Sequence, residues 1–137
     1  MFRLLIALLA WTSPLLFAAM PAFQEHLIAS DLKGGYQVVP FDVNHDGRMD
    51  LIALASGMPD LVWFENPDWK QHPINDQIVG GHALAIGDID NDGDIDAVTC
   101  AKDDFVAAWF ENDGKGNFRT HRIAEKQAAY DIRLVDM

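Results

Sequence analysis

The stretch from Ala85 to Ala97 reads Ala-Ile-Gly-Asp-Ile-Asp-Asn-Asp-Gly-Asp-Ile-Asp-Ala and places an acid at every second position from 88 to 96. Carboxylates this close repel one another unless a cation lies among them. Ca²⁺ takes about six to eight oxygen ligands, which a tight loop supplies from positions 1, 3 and 5, from the carbonyl at position 7 and from a later carboxylate. A glycine, Gly93, stands at position 6, where the chain must turn sharply. The spacing therefore predicts a calcium loop with these ligands: Asp88, Asp90, Asp92, the carbonyl of Asp94, and Asp96.

The position of the closing acid distinguishes two kinds of calcium loop. An EF-hand closes with a Glu at position 12 and lies between two helices, but position 12 here is Thr99. The flanks at 82–86 and 97–101 are short, apolar and partly β-branched, which favours strands. The loop is therefore predicted to join two strands of a hairpin, with Asp96 at position 9 as the closing ligand.

The 137-residue chain is long enough for one domain, and its composition, 50% hydrophobic and 23% charged, is that of a folded globular protein. Its formal net charge of −11 argues against nucleic acid or an anionic membrane as a partner, because both are negative. Of the 21 Asp and Glu residues, five lie at 88–96 and three lie in a related stretch at 42–50. Much of the acidity is therefore local.

The N-terminal 19 residues, in which Arg3 precedes an apolar run to Ala19, are typical of a secretory signal peptide. A membrane anchor is the weaker interpretation, because the run is short and contains Pro14. The protein is therefore expected to be exported, extracellular or periplasmic, with no stable membrane span after signal cleavage. Since Cys100 is the only cysteine, packing and metal rather than an internal disulfide must stabilise the exported chain.

An internal repeat of 46 residues organises the chain. At this offset Asp42–Asp50 matches Asp88–Asp96, and the Trp-Phe-Glu-Asn stretch at 63–66 matches the same four residues at 109–112. Weaker matches extend the repeat, because the pattern aromatic-x-x-His-x-Ile occurs at 23–28, 69–74 and 118–123. The beginning of a third repeat unit lies at 129–137, and the sequence ends just after its first acid, Asp136. This position predicts a truncated reading frame.

Each unit reads as four short strands separated by turn signals, and four strands in about 40 to 50 residues predict the blade of a β-propeller. The expected fold is all-β, with blade 1 at about 36–75, blade 2 at about 82–124 and the start of a third blade at 129–137. Closed propellers have about four to eight blades, so two blades alone are expected to be unstable or to self-associate. The predicted strands are 36–42, 50–55, 61–65, 69–74, 82–88, 96–102, 105–111 and 117–123.

The two acidic loops and the Trp-Phe-Glu-Asn strands resemble the FG-GAP or VCBS-type repeat, whose relatives include the propeller of the integrin α-subunit. The resemblance covers residues 23–137 and implies that each loop joins two strands of a blade and holds Ca²⁺. Asn44 replaces an acid, so the first loop offers three ligand carboxylates against four in the second. Matched position by position, the implied ligands are Asp42, Asn44, Asp46, the carbonyl of Arg48 and Asp50, and then Asp88, Asp90, Asp92, the carbonyl of Asp94 and Asp96.

Several repeated residues admit both a functional and a structural interpretation. The acidic loops could be solvated turns without metal, but their spacing, glycine position and duplication favour calcium. Trp63, Trp69 and Trp109 could stack on sugars, although their place in the repeat favours packing between blades. The histidines of the repeat could bind metal or act in catalysis, although structural hydrogen bonds are favoured.

The sequence thus predicts an exported, calcium-binding propeller module with a structural or binding role, whose ligand would be a protein or a carbohydrate. The alternative is part of a secreted carbohydrate-active enzyme, a lyase or dehydratase, because similar repeats accompany such enzymes. No His-Glu-x-x-His or Gly-x-Ser-x-Gly stretch occurs in the chain. No catalytic residue is predicted, so the non-enzymatic interpretation is favoured, with Ca²⁺ as the one cofactor.

Overall fold

The computed structural model describes residues 22–57, 61–75, 78, 81–101, 106–126 and 129–135. The predicted signal peptide and the acid at 136 lie outside these residues. No helix in the described ranges has the length and hydrophobicity needed to cross a membrane. The strands are β1 (Gly35–Phe41), β2 (Asp50–Ala55), β3 (Leu61–Glu65), β4 (Lys70–Asn75), β5 (Gly81–Gly87), β6 (Asp96–Ala101), β7 (Val106–Asn112) and β8 (Phe118–Glu125).

The strands form two four-stranded antiparallel sheets, ordered β1-β2-β3-β4 and β5-β6-β7-β8. We call these sheets blade 1 and blade 2. The predicted all-β fold with propeller-type blades is confirmed, and each strand boundary agrees with the prediction within two residues. Trp69 was predicted to begin the fourth strand, but it has a φ of 53° and ends a turn, so β4 begins at Lys70.

A core shared by the two blades holds them together. Because side chains alternate along a strand, Ile52, Leu54 and Trp63 of blade 1 face blade 2, where they meet residues such as Ala108 and Phe110 in one buried cluster. Trp63 is 3% exposed, which confirms the prediction that this tryptophan packs between blades. A Cβ added at Gly81 would overlap the Leu54 side chain, so the absence of a side chain there allows the close approach of the blades.

The opposite face of blade 1 carries a second, smaller cluster. Ala53, Val62 and Phe64 point away from blade 2, and we call this surface the distal face. It is covered in part by Ile28 and Leu32 from the chain that precedes β1. The blade therefore has apolar side chains on both faces, as expected for a unit stacked between two others.

Candidate metal centres

Each acidic loop joins the first and second strands of its blade. The first loop follows β1 and ends where Asp50 begins β2, and the second follows β5 and ends where Asp96 begins β6. In the strand ladders Asp50 lies opposite Phe41, and Asp96 lies opposite Gly87. The predicted hairpin connection is thus confirmed, and the closing acid stands at the first pair of the hairpin.

The closing acids are buried, and each of their carboxylate oxygens accepts one backbone hydrogen bond. Asp96 is 1% exposed, and its Oδ2 accepts a bond from the backbone N–H of Ile89 (3.0 Å) while its Oδ1 accepts one from Asn112 (2.8 Å). Asp50 is 0% exposed and accepts the equivalent bonds from Val43 (3.0 Å) and Asn66 (2.8 Å). Each carboxylate therefore ties its own loop to the turn between the third and fourth strands. Because a carboxylate offers about four acceptor positions, both oxygens still have a free one.

The first acid of each loop sets the loop backbone. The two oxygens of Asp88 accept bonds from the N–H groups of Asp92 and Gly93, both at 3.2 Å. Asp42 does the same in the first loop, to Asp46 (3.1 Å) and Gly47 (2.9 Å). These bonds turn the chain inside the loop rather than extend the strand, which is why β1 and β5 end one residue before their predicted ends.

The structure brings together three of the predicted side-chain ligands of the second loop. One oxygen from each of Asp88, Asp90 and Asp96 lies within 4.8 Å of the other two. Since Ca²⁺–oxygen distances are about 2.3–2.6 Å, two oxygens on one ion are at most about 5 Å apart, and the three carboxylates fit that limit. No other group of three His, Cys, Asp or Glu side chains in the described ranges comes as close.

The remaining predicted residues of the second loop lie outside this group of three. The Oδ1 of Asp92 accepts a bond from the backbone N–H of Asp94 (2.9 Å), and its side chain is exposed. The side chain of Asp94 turns toward blade 1, where its Oδ1 lies 3.4 Å from Nδ1 of His45. The contribution predicted for Asp94 is its carbonyl, so the direction of this side chain does not affect that prediction.

The first loop has an equivalent backbone but a different charge. The guanidinium of Arg48 contacts Asp46 at 2.7 Å, so a cationic side chain of the chain itself already neutralises one carboxylate. Asn44 accepts a bond from the N–H of Asp46 (3.2 Å) and donates one to Glu65 (3.2 Å). The loop has a formal charge of −2, from three Asp and one Arg, whereas the second loop has −5. Repulsion that a bound cation would relieve is therefore weaker in the first loop.

Two loop acids have raised pKa values, for the reasons expected of crowded carboxylates. Burial raises the pKa of Asp50, and the charges of Asp46 and Asp42 add to this effect, while the backbone bonds from Asn66 and Val43 oppose it. For Asp90, which is exposed, partial loss of hydration within the loop raises the pKa first and the neighbouring charge of Asp92 second. The loops thus concentrate negative charge at an electrostatic cost that a cation would lower.

The Trp-Phe-Glu-Asn stretch contains contacts that its residue types alone did not predict. Its Asn supplies the N–H that binds the closing acid, and the Asn112 side chain also donates to the carbonyl of Val43 in blade 1 (2.9 Å). The link between this Asn and the closing acid has a sequence signal, because both recur at the same offset of 46 residues.

The tryptophan and glutamate of the same stretch hold the repeat histidine. The His72 ring stacks on Trp63 with centroids 4.5 Å apart, and its Nε2 lies 2.8 Å from Oε2 of Glu65. In blade 2 the His121 ring stacks on Trp109 (4.4 Å) and its Nε2 contacts Glu111. Both histidines thus make side-chain hydrogen bonds, as predicted. Cys100 lies in β6 and is 0% exposed.

A family model described as an FG-GAP-like repeat matches residues 42–99, a span that contains both acidic loops, the first Trp-Phe-Glu-Asn stretch and β2 to β5. No curated protein and no solved structure has significant similarity to the chain.

Proposed function

We propose that this protein is a calcium-binding, propeller-type repeat module with a structural or binding role and no catalytic activity of its own. The match of residues 42–99 to the FG-GAP-like repeat supports the repeat module. The observation that carries the proposal is the approach of Asp88, Asp90 and Asp96 to within 4.8 Å of one another. Each of these carboxylates keeps acceptor positions beyond its bonds to the backbone.

In the second loop the carboxylates of Asp88, Asp90, Asp92 and Asp96 would hold the ion, together with the Asp94 carbonyl. Bound Ca²⁺ would offset part of the negative charge of the five neighbouring acids. Asp96 would then couple the ion to the fold, because the same carboxylate binds the N–H groups of Ile89 and Asn112. In the first loop Asp42, Asn44, Asp46, Asp50 and the Arg48 carbonyl would bind more weakly, since Arg48 already pairs with Asp46.

The proposed setting is outside the cytoplasm, extracellular or periplasmic, because the first 19 residues have the pattern of a signal peptide. Extracellular calcium modules have dissociation constants of about 10⁻⁴ to 10⁻³ M. A structural site of this affinity would stabilise a chain that lacks disulfides.

A calorimetric titration of the chelator-treated protein with CaCl₂ tests the proposal. We expect a saturable site near 10⁻⁴ M that Asp90→Asn weakens at least tenfold, because the variant removes one of the three clustered carboxylates. The control variant Glu125→Gln removes an exposed acid on β8 and should leave the binding unchanged. Absence of saturable binding, or equal loss in both variants, contradicts the proposal.

The proposed partner of the whole module is a protein or a carbohydrate, bound without turnover. Incubation of the purified chain with polysaccharides checks this, with product formation and retention on immobilised glycans measured side by side. Retention without product is the expected result for a glycan ligand. Cleavage or elimination by the purified chain contradicts the non-catalytic role.

A further inference from the structure

The two tyrosines of the chain, Tyr36 and Tyr130, both lie beside His82. The rings of Tyr36 and His82 have centroids 6.0 Å apart and an interplanar angle of 79°. The rings of His82 and Tyr130 are also 6.0 Å apart, at an angle of 50°. Each of the three residues follows a glycine or an alanine at the same point of the repeat. We call these three residues the ring row.

A β-bulge presents the first two rings of the row. The ladder of β1 with β2 shifts its register at Tyr36, and the ladder of β5 with β6 shifts at His82, so neither residue has an opposite partner in its ladder. A bulge bends its strand and changes the direction of a side chain. The same irregularity at the same point of both blades therefore brings the two rings together.

Contacts between neighbouring segments fix the spacing of the ring row. The side-chain amide of Gln37 donates to the carbonyl of Leu84 (2.9 Å) and accepts from its N–H (3.1 Å), so it joins β1 to β5 as a peptide group would. The segment 129–135 lies beside β5, since a Cβ added at Gly87 would overlap the Leu134 side chain. A ligand would thus meet three rings already in place, which lowers the entropic cost of binding.

The ring row faces solvent rather than the core. Tyr36 is 63% exposed and Tyr130 is 64% exposed, whereas Trp63 and Phe64 of blade 1 are both 3% exposed. Aromatic rings stabilise a fold by removing apolar area from water, and rings this exposed contribute little of that stability. Single exposed apolar residues are ordinary, but adjacent ones at a fixed spacing indicate a binding surface.

The chemistry of the rings indicates the class of ligand. A tyrosine has apolar ring faces and a polar hydroxyl, and an imidazole adds a donor and an acceptor at its edge. A pyranose sugar has the complementary form, with C–H groups on its faces and hydroxyls around its rim. The net charge of −11 repels polyanions such as uronic-acid polysaccharides. A neutral glycan therefore fits the row best.

We propose that Tyr36, His82 and Tyr130 form a binding surface for a neutral carbohydrate chain. Sugar rings stack on the faces of the two tyrosines, and sugar hydroxyls bond to the Tyr36 hydroxyl and the His82 imidazole. The surface would carry the binding role proposed above, on which it rests, and it does not depend on calcium.

Affinity electrophoresis of the purified protein tests this surface, in native gels that contain galactomannan, xyloglucan or polygalacturonate. The acidic protein migrates toward the anode, and binding to a neutral polysaccharide retards it. We expect retardation by a neutral polysaccharide and none by polygalacturonate. Tyr36→Ala and Tyr130→Ala should each weaken binding about three- to tenfold, the value of one aromatic contact. Tyr36→Phe should bind within about twofold of the unmodified protein, because it keeps the ring.

Two controls separate binding from structure. Phe23→Ala removes a ring that is 93% exposed but lies outside the row, and it should leave the retardation unchanged. The melting temperatures of the tyrosine variants should equal that of the unmodified protein, because both side chains are exposed.

The tyrosines also report binding directly. Since the chain has only two, ¹³C-labelled tyrosine gives two sets of ring signals, and both should shift when oligosaccharides of the retarding polysaccharide are added. Absence of retardation by either neutral polysaccharide, equal retardation of the tyrosine variants and the unmodified protein, or retardation by polygalacturonate alone would overturn the proposed surface. The calcium titration described above distinguishes the two failures, because a protein that binds Ca²⁺ but no glycan refutes the carbohydrate surface alone.

Discussion

The substitution Asp96→Asn tests how the closing acid holds the second loop. Asp96 is buried, and each of its oxygens accepts one backbone N–H bond, from Ile89 and from Asn112. An asparagine has the same shape but only one acceptor atom. One of the two N–H groups would therefore face an amide NH₂, lose its bond and remain buried without a partner.

The size of the effect follows from two opposing contributions. The variant loses a hydrogen bond to a charged group and leaves a buried N–H without an acceptor. Together these two effects cost about 2–4 kcal/mol. Relief of the repulsion between Asp96 and the carboxylates of Asp88 and Asp90 returns about 1 kcal/mol near the surface of the protein. We expect a net loss of about 1–3 kcal/mol, which lowers the melting temperature by roughly 4–12 °C.

Urea denaturation in excess chelator, followed by tryptophan fluorescence, measures this difference without any contribution from metal. The control is Asp92→Asn, which removes the same charge from an exposed side chain of the same loop. Its free energy of unfolding should change by less than about 0.5 kcal/mol or rise slightly. An Asp96→Asn variant as stable as the unmodified protein, or an equal change in the two variants, would contradict this role of Asp96.

Two further predictions concern packing. Gly116→Ala should destabilise by about 1–3 kcal/mol more than Gly93→Ala, because both glycines have positive φ (79° and 97°) but only a Cβ at Gly116 would meet Trp63, 2.5 Å from its ring; equal losses in chemical denaturation would contradict this packing. Cys100 should not react with a thiol reagent in the folded protein, because it is fully buried and burial raises its pKa; rapid labelling under native conditions would show that the core of blade 2 opens.

The strands were predictable because their determinants are local. Turn residues such as Asn66-Pro67-Asp68 separate short β-prone runs, and the repeat supplied each boundary twice. Antiparallel neighbours in chain order then follow from short connections. The strand β4 begins one residue later than predicted because Trp69 takes a left-handed φ. The residue type at that position does not indicate such a φ.

The three clustered carboxylates of the second loop were also predictable, since alternate acids around a glycine specify their own geometry. The contacts made across long sequence separations were not. The bond from Asn112 to Asp96 joins two strands of a blade, and the pairing of Arg48 with Asp46 depends on a side-chain conformation. Packing of Ile28 and Leu32 on the distal face likewise required the folded sheet.

Thermal unfolding in excess chelator and in 10 mM Ca²⁺ tests most directly whether the loop at 88–96 binds Ca²⁺. With a dissociation constant near 10⁻⁴ M, the ion stabilises the folded state by about 2.7 kcal/mol, or roughly 10 °C in the melting temperature. We expect this rise in the unmodified protein and a rise of at most about half that size in Asp90→Asn, whose affinity for Ca²⁺ is at least tenfold weaker. A melting temperature that is the same in chelator and in Ca²⁺ would contradict it.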